Sequence, residues 1–581
     1  MKFLRVLMVI LSALSVQAFA LDREAFTITK YDLDVRVEPE QRRLAVRGKI
    51  TLRNDSPSAQ KNLVLQISST LDWKSIQIGG KTMQFVTHEY TSDIDHTGAL
   101  SEAIVTLPRE VPPTGTVELD VGYEGLIPLD VTRLMQIGVP EDKARHTDWD
   151  QISKSFTAVR GIGYVLWYPV ATESANLSEG NSVFETIGRW KRREIDAEMK
   201  IEVTHSGSSS ERRLKLFCNG EGGVQGQDSI SGADYGVTTE CRYQPLGLAV
   251  PLFVIGSYNA LDRPEINNSY LGEHKSGAED YAIAAELAVP FVTQWFGQPR
   301  VKAEVVELAD PDATPFEAGS MVLTPLGAND PRRYSLTAVH QLTHAAFASP
   351  RPWIYEGLAH FAQAAYRERQ NGRQAALDFM SLHRTAIADT EKAVAAEHSQ
   401  NSAASESLIN TNSEELYRSK AMFVWWMLRD MVGDDALQKA LASYHPDQDK
   451  APAYLQHLIE AQSKRDLEWF FDDWVYRDRG LPDFHVESVY SRQTIHGTYM
   501  VTVSVENLGE AGAEVPVTVH TNSGELSKRL EVRAKSKNAI RIEVSTPPQQ
   551  VVVNDGSVPE SDMSNNSFKV ETPAKVETPA R

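Results

Sequence analysis

The chain has 581 residues, too many for one hydrophobic core, so it divides into several domains. Its 41% apolar and 8% aromatic content belongs to a folded protein rather than a disordered one. A formal net charge of −19 excludes nucleic acid and anionic membrane surfaces as natural partners, because both require clustered Lys and Arg.

The first twenty residues read as a secretory leader. Lys2 and Arg5 precede an apolar run over 6–16, and Ala18, Phe19 and Ala20 form an A-x-A cleavage site. The run is short for an uncleaved anchor, and no later stretch is long enough to span a bilayer. The expected product is an exported, periplasmic or extracellular protein. Export gives Cys218 and Cys241, the only two cysteines, a natural reading as one disulfide; two buried free thiols are the alternative.

From residue 21 to 265 the pattern is that of strands. "YDLDVRV", "RRLAVRGKITLRND" and "GTVELDVGYEG" alternate apolar and polar residues with period two. "AEMKIEVTHSG" to "PLFVIGSY" forms a second set that carries the cysteines. Within 266–482 the texture turns helical. "EDYAIAAELAVPFVTQWFG" has helical periodicity and stops at a glycine, and one strand is expected near Val301 to Leu308. Over 483–570, "FHVESVY", "TYMVTVSVEN", "EVPVTVHT" and "AIRIEVS" return to strict alternation and predict a β-sandwich. The end, 571–581, is a Pro-containing repeat with no apolar face and is expected to be a disordered tail.

His340 and His344 stand four apart in "HQLTHAAFASPRPWIYEGLAHFA". On a helix this spacing puts both imidazoles on one face, where a single metal ion reaches both. Two surface histidines would share the spacing, so the pair alone is weak. A hydrolytic zinc needs a third protein ligand and an open position. "PWIYEGLAHF" offers Glu356 on the following helix, with Trp353, Leu358 and Phe361 to bury one face. His360 lies one turn further and reads as a packing residue, although it could be a fourth ligand.

This helix resembles the "WxxEGxA" helix of the gluzincin zinc metallopeptidases, specifically the aminopeptidase N family. The order of other segments strengthens the resemblance: "YDLDVRVEPEQRRLAVRGKITLRN", "LWYPV", "PFEAGSM", "LYRSKAMFVWWMLRDMVGDDALQKALASY" and "DLEWFFDDWVYRDRGLPDF" resemble family segments in the same sequence. The resemblance implies a multidomain α+β protein: an N-terminal β-saddle-like domain, a thermolysin-like, mainly helical catalytic domain and a C-terminal Ig-like β-sandwich. It implies zinc held by His340, His344 and Glu356. Tyr417 would donate a hydrogen bond to the developing oxyanion. Glu317 and Gly319 would lie on the substrate-binding strand, with Glu317 holding a free α-amino group. The implied partner is a peptide or protein substrate or ligand.

Two positions depart from the family pattern. The zinc carboxylate of the family follows the second histidine after 18 intervening residues, where this chain has Gln363; Glu356 comes after 11. Gln341 stands where H-E-x-x-H has its general base, and an amide cannot take a proton from a water. Such a loss typically lowers hydrolysis by about 10²–10⁴-fold. The site is therefore expected to be an impaired peptidase, or a pseudopeptidase that binds without cutting, and Gln341→Glu is expected to be nearly isosteric. A β-rich surface protein without metal remains the third reading.

Overall fold

The computed structural model describes residues 21–91, 99–136, 138–147, 149–160, 166–171, 193–207, 214–225, 229–231, 234–327, 331–398, 407–411, 413 and 415–570. The expected leader and tail lie outside these residues. The chain forms two compact units. Among the described residues, the first comprises those from 21 to 256 and the second those from 257 to 570. Several sheets and about ten helices make it a multidomain α+β protein.

The first unit is built on a nine-stranded sheet. Its central strand, Phe26–Glu38, contains "YDLDVRV", whose alternation becomes a buried row of Tyr31, Leu33, Val35 and Val37, each at most 1% exposed. The strand pairs antiparallel with Arg43–Asn54 and parallel with Glu198–Gly207. Trp167 and Tyr168 of "LWYPV" are fully buried in the core beneath this sheet, and Trp167 Nε1 donates to the Pro251 carbonyl. That stretch is a packing element of the first unit. Cys218 and Cys241 form a disulfide with Cα atoms 6.4 Å apart. The two cysteines do not lie on paired strands. Cys218 ends a strand of a separate four-stranded sheet, while Cys241 lies in the nine-stranded one, so the bond ties two sheets.

The second unit opens with a five-stranded sheet in the order Tyr258–Asp262, Ile266–Leu271, Ala303–Glu307, Met321–Thr324, Phe316–Ala318. The three inner strands are parallel and both edges antiparallel. The Ala303–Glu307 strand falls within the stretch where a strand was expected; Phe316–Ala318 and Met321–Thr324 have three and four residues, too few to show a period. The long helix Lys275–Phe296 ends at Gly297, whose positive φ of 86° lets its N–H close on the Thr293 carbonyl.

Two helices then carry the site. The histidine helix is Pro331–Ala346, and the glutamate helix is Pro352–Asn371. The glutamate helix starts at a proline, where a missing N–H costs nothing, and stops at Gly372 with φ 83°. Its Gly357 has a packing role. A Cβ there would lie 2.6 Å from Ala421 Cβ, so the glycine lets the helix Ala421–Val432 approach. Beyond, two antiparallel sheets of three and four strands occupy 484–569. Trp474 Nε1 donates to the Gly512 carbonyl at 2.7 Å and ties them to the helices. Among the described residues no helix is long and apolar enough to cross a membrane.

Candidate metal centre

The i, i+4 spacing does what helical geometry requires. His340 and His344 are 1% and 7% exposed, and their Nε2 atoms face each other at 2.9 Å. Two imidazole lone pairs cannot meet at that distance without a proton or a cation between them. Glu356 projects from the glutamate helix to the same place: Oε2 is 3.6 Å from His340 Nε2 and Oε1 is 3.7 Å from His344 Nε2. Ligands arranged tetrahedrally about 2.1 Å from a zinc ion stand about 3.4 Å apart. The three observed separations bracket that value, so these residues fit a metal ion. The Nδ1 atoms of both histidines are buried without a hydrogen-bond partner, so neither ring has the usual outer support of a metal-bound imidazole.

The carboxylates are arranged less simply. Arg418 Nε donates to Glu356 Oε2 at 3.1 Å and fixes it. Glu317, on the edge strand Phe316–Ala318, places Oε2 2.9 Å from His340 Nε2. Burial disfavours charge on both partners, but each holds the other ionised. Glu317 lies below the usual carboxylate range because of His340 and Arg418, and His340 is raised because of Glu317 and Glu356. His344 is pushed well below its ordinary value by burial and by the neighbouring His340. The two histidines are thus shifted in opposite directions, His340 towards the charged form and His344 towards the neutral one.

Gln341 turns to the opposite task from its neighbours. Its Nε2 donates to the backbone carbonyls of Glu304 at 2.7 Å and Ser320 at 2.9 Å, and its Oε1 accepts from the Tyr281 hydroxyl at 2.8 Å. Carbonyls only accept, so the amide nitrogen must face them, and the orientation of this side chain is settled. A glutamate here would set a carboxylate oxygen against two carbonyl oxygens. Gln341→Glu is therefore isosteric in shape but not in hydrogen bonding, which corrects the sequence-based expectation.

The other expected residues are placed as follows. Gly319 sits in the turn between the edge strand and its neighbour, with φ 66°, and a Cβ there would meet the Tyr355 hydroxyl at 3.0 Å. Tyr417 is fully buried in the π-helical turn Glu415–Lys420, beside Arg418. Gln363 does not join the cluster; its Nε2 donates to the Leu336 carbonyl. His360, set aside as packing, comes close: it has a nitrogen within 4.8 Å of ligand atoms of His340 and Glu356. Its ring stands edge-on to His340 with centroids 5.1 Å apart.

Sequence reasoning did not single out Tyr281, Tyr355 or Arg418. Tyr355 tilts over the His344 ring at 3.9 Å and lies one residue before Glu356 in "WIYEGLA". Arg418 follows Tyr417 directly, and a buried carboxylate ligand wants a fixed donor. Tyr281 carries no local signal, being one aromatic among many on its helix.

No family model matches the chain, and no curated protein matches it. Solved structures do. Aminopeptidase A from Legionella pneumophila, in complex with aspartic acid, superposes with a TM-score of 0.60 at 13% identity. The match covers 93% of this chain and 60% of that one, so the chain spans about three fifths of its length. The M1 zinc metallopeptidase from Deinococcus radiodurans gives a TM-score of 0.47 at 16% identity, covering 78% of this chain and 95% of that one. A mutant of that enzyme bound to a Tyr-Ser-Ala substrate gives 0.47 at 16%, covering 80% and 97%. At such identities the likeness to the Legionella structure shows a shared fold.

Proposed function

We propose that the chain is an exported zinc metallopeptidase homologue of the aminopeptidase type, acting on peptides and impaired at the step that needs a base. The observation that carries this reading is the convergence of His340 Nε2, His344 Nε2 and the Glu356 carboxylate at separations a zinc ion requires. The shared aminopeptidase fold supports it. Glu356 then replaces the carboxylate that the longer spacer would supply, with Gln363 occupied elsewhere.

A bound zinc ion supplies Lewis acidity and a water of lowered pKa. The chain's own residues do the rest. Arg418 holds Glu356 in place. Tyr417 supplies a hydroxyl donor for the developing oxyanion. Glu317 lies on the edge strand along which a peptide would lie, and Gly319 in the turn that follows it. The disulfide is compatible with an oxidising compartment and supports export to the periplasm or beyond. The division into a β domain over 21–265, a peptidase-like domain over 266–482 and a sandwich over 483–570 belongs to the same reading.

A specific observation favours the second reading, a pseudopeptidase that binds peptides or a protein partner without cutting. The Gln341 amide is wholly engaged with backbone and Tyr281, so it offers no proton acceptor. Metal analysis of the purified chain, with turnover on a peptide library, tests both. One zinc per chain with turnover supports the peptidase, and one zinc with none the pseudopeptidase. A chain that takes up no zinc, and behaves like His344→Ala in dialysis, overturns both.

A further inference from the structure

The edge strand carries an unexpected feature. A glutamate reserved for the amino end of a peptide should stand a substrate's length away from the metal position. Glu317 Oε2 instead lies 2.9 Å from His340 Nε2, a nitrogen that already faces the centre of the cluster. Like the 2.9 Å between the two Nε2 atoms, this is somewhat shorter than the about 3.4 Å between ligands of one tetrahedral zinc ion, and it leaves no room for both a water and an amine between the two groups.

The carboxylate is held there by its own strand. Phe316–Ala318 pairs antiparallel with Met321–Thr324, with Glu317 opposite Val322. The connecting turn is pinned twice. Gln341 Nε2 donates to the Ser320 carbonyl, and Gly319 takes a φ of 66° that disfavours any side chain, with the Tyr355 hydroxyl 3.0 Å from where a Cβ would stand. The glutamine in the base position thus braces the strand that presents Glu317. Charge agrees with geometry: two neutral imidazoles and two carboxylates neutralise a divalent cation, and Arg418 steadies the second carboxylate.

We propose that Glu317 is a fourth inner ligand of the metal, so that His340, His344, Glu356 and Glu317 close the coordination sphere in the resting protein. The proposal rests on the zinc reading of the site and deepens it. The metal would be self-capped, and an incoming ligand would have to displace the edge-strand carboxylate before binding. His360 is the rival for this position, with a nitrogen within 4.8 Å of ligand atoms of His340 and Glu356, and the two sets of variants below decide between them.

The test uses the full chain loaded with cobalt(II) in place of zinc. Metal affinity is measured by competition with a chelator, and the site is probed with acetohydroxamate through the visible d–d bands. Glu317→Gln should lower metal affinity at least about tenfold, as loss of a supporting group already does. It should also bind acetohydroxamate at least about tenfold more tightly than the wild type, because a position has opened. Glu317→Asp should fall between the two, and His360→Ala should match the wild type in both measurements. If Glu317→Gln leaves both quantities unchanged, or if His360→Ala and not Glu317→Gln lowers affinity, the proposal is overturned. Should the Glu317 variants fail to fold, the wild type decides alone. A solvent water on the wild-type cobalt centre, read by water-proton relaxation, opposes the proposal, and a four-coordinate centre that holds no exchangeable water supports it. A wild type that binds no cobalt or zinc refutes the zinc reading itself, a different result.

Discussion

Two clusters of buried charge lie within the second unit, and they differ in how their atoms point. Around Lys420, which is fully buried, Nζ donates to Glu391 and to Asp478 while the cation also lies 5.5 Å from the Trp474 ring centre. Every charge there faces its opposite. Around His340 the charges also balance, since His340 and Arg418 face Glu317 and Glu356. Yet like groups converge: two Nε2 atoms meet at 2.9 Å, two carboxylates crowd them, and both Nδ1 atoms lack partners. Balanced charge therefore does not distinguish a structural ion cluster from a binding site. Convergence of like groups does, because it is costly until something enters.

The largest expected effect breaks the structural cluster. Lys420→Ala leaves Glu391 and Asp478 buried without their cation, and removing one partner of such a set typically costs about 3–5 kcal/mol. Urea unfolding of the second-unit transition should show that loss. An unchanged midpoint would mean the two carboxylates find water, and the contrast with the site would weaken.

Next comes filling the site. Zinc at one hundred times its dissociation constant should stabilise the wild type by about 2.7 kcal/mol, and His344→Ala should gain far less. Thermal unfolding with and without zinc reads this directly. Lys420→Ala should keep the zinc increment, since its cluster has nothing to bind. Equal increments in wild type and His344→Ala would place the metal elsewhere.

A smaller effect concerns Gln341. In Gln341→Glu the backbone carbonyls of Glu304 and Ser320 lose their donor, which should cost about 1–3 kcal/mol at neutral pH. Burial and the carbonyls raise the folded pKa of the new carboxyl above its unfolded value. Its stability is then fully present at low pH and is lost as pH rises through the folded pKa. The variant should approach wild-type stability towards pH 5 and fall behind towards pH 8. A variant as stable as wild type at pH 8, with new peptide turnover, would show that the carbonyls yield and that the missing base was the only defect.

The sequence carried the histidine pair and the long periodic segments because both are local. The i, i+4 spacing of His340 and His344 fixes their common face on any helix, and "YDLDVRV" alternates wherever it sits. Glu356 was legible through "WIYEGLA", in which Gly357 is needed for close helix packing. What could not be read was decided by contacts across sequence. Gln341 meets Tyr281, Glu304 and Ser320 at separations of 60, 37 and 21 residues. Arg418 reaches Glu356 across 62. The edge strand that brings Glu317 to His340 has three residues, below any periodic signal. The roles of an isolated Glu and Gln thus depended on register, which spacing along the chain does not encode.

One further carboxyl, half-buried, sharpens the comparison with the smallest effect. Gln341 holds the backbone carbonyl of Glu304, but the Glu304 side chain meets other neutral donors, Asn267 Nδ2 at 3.2 Å and Ser269 Oγ at 3.3 Å. Burial pushes it up to about 7, and those long hydrogen bonds offset the shift only in part. A raised folded pKa means the group's contribution to stability is complete below its unfolded value near 4.5 and is lost as pH climbs to about 7. Solvent reaches part of the side chain, so the loss should be about 1 kcal/mol rather than the full linkage value. Glu304→Gln removes the titration, so its urea midpoint should decline less than that of wild type between pH 5 and pH 8. Parallel profiles would mean that Asn267 and Ser269 satisfy the carboxylate as fully as Lys420 satisfies Asp478. Neutral hydrogen bonds would then count as much as a buried cation, and the line drawn between the two clusters would have to rest on the converging imidazoles alone.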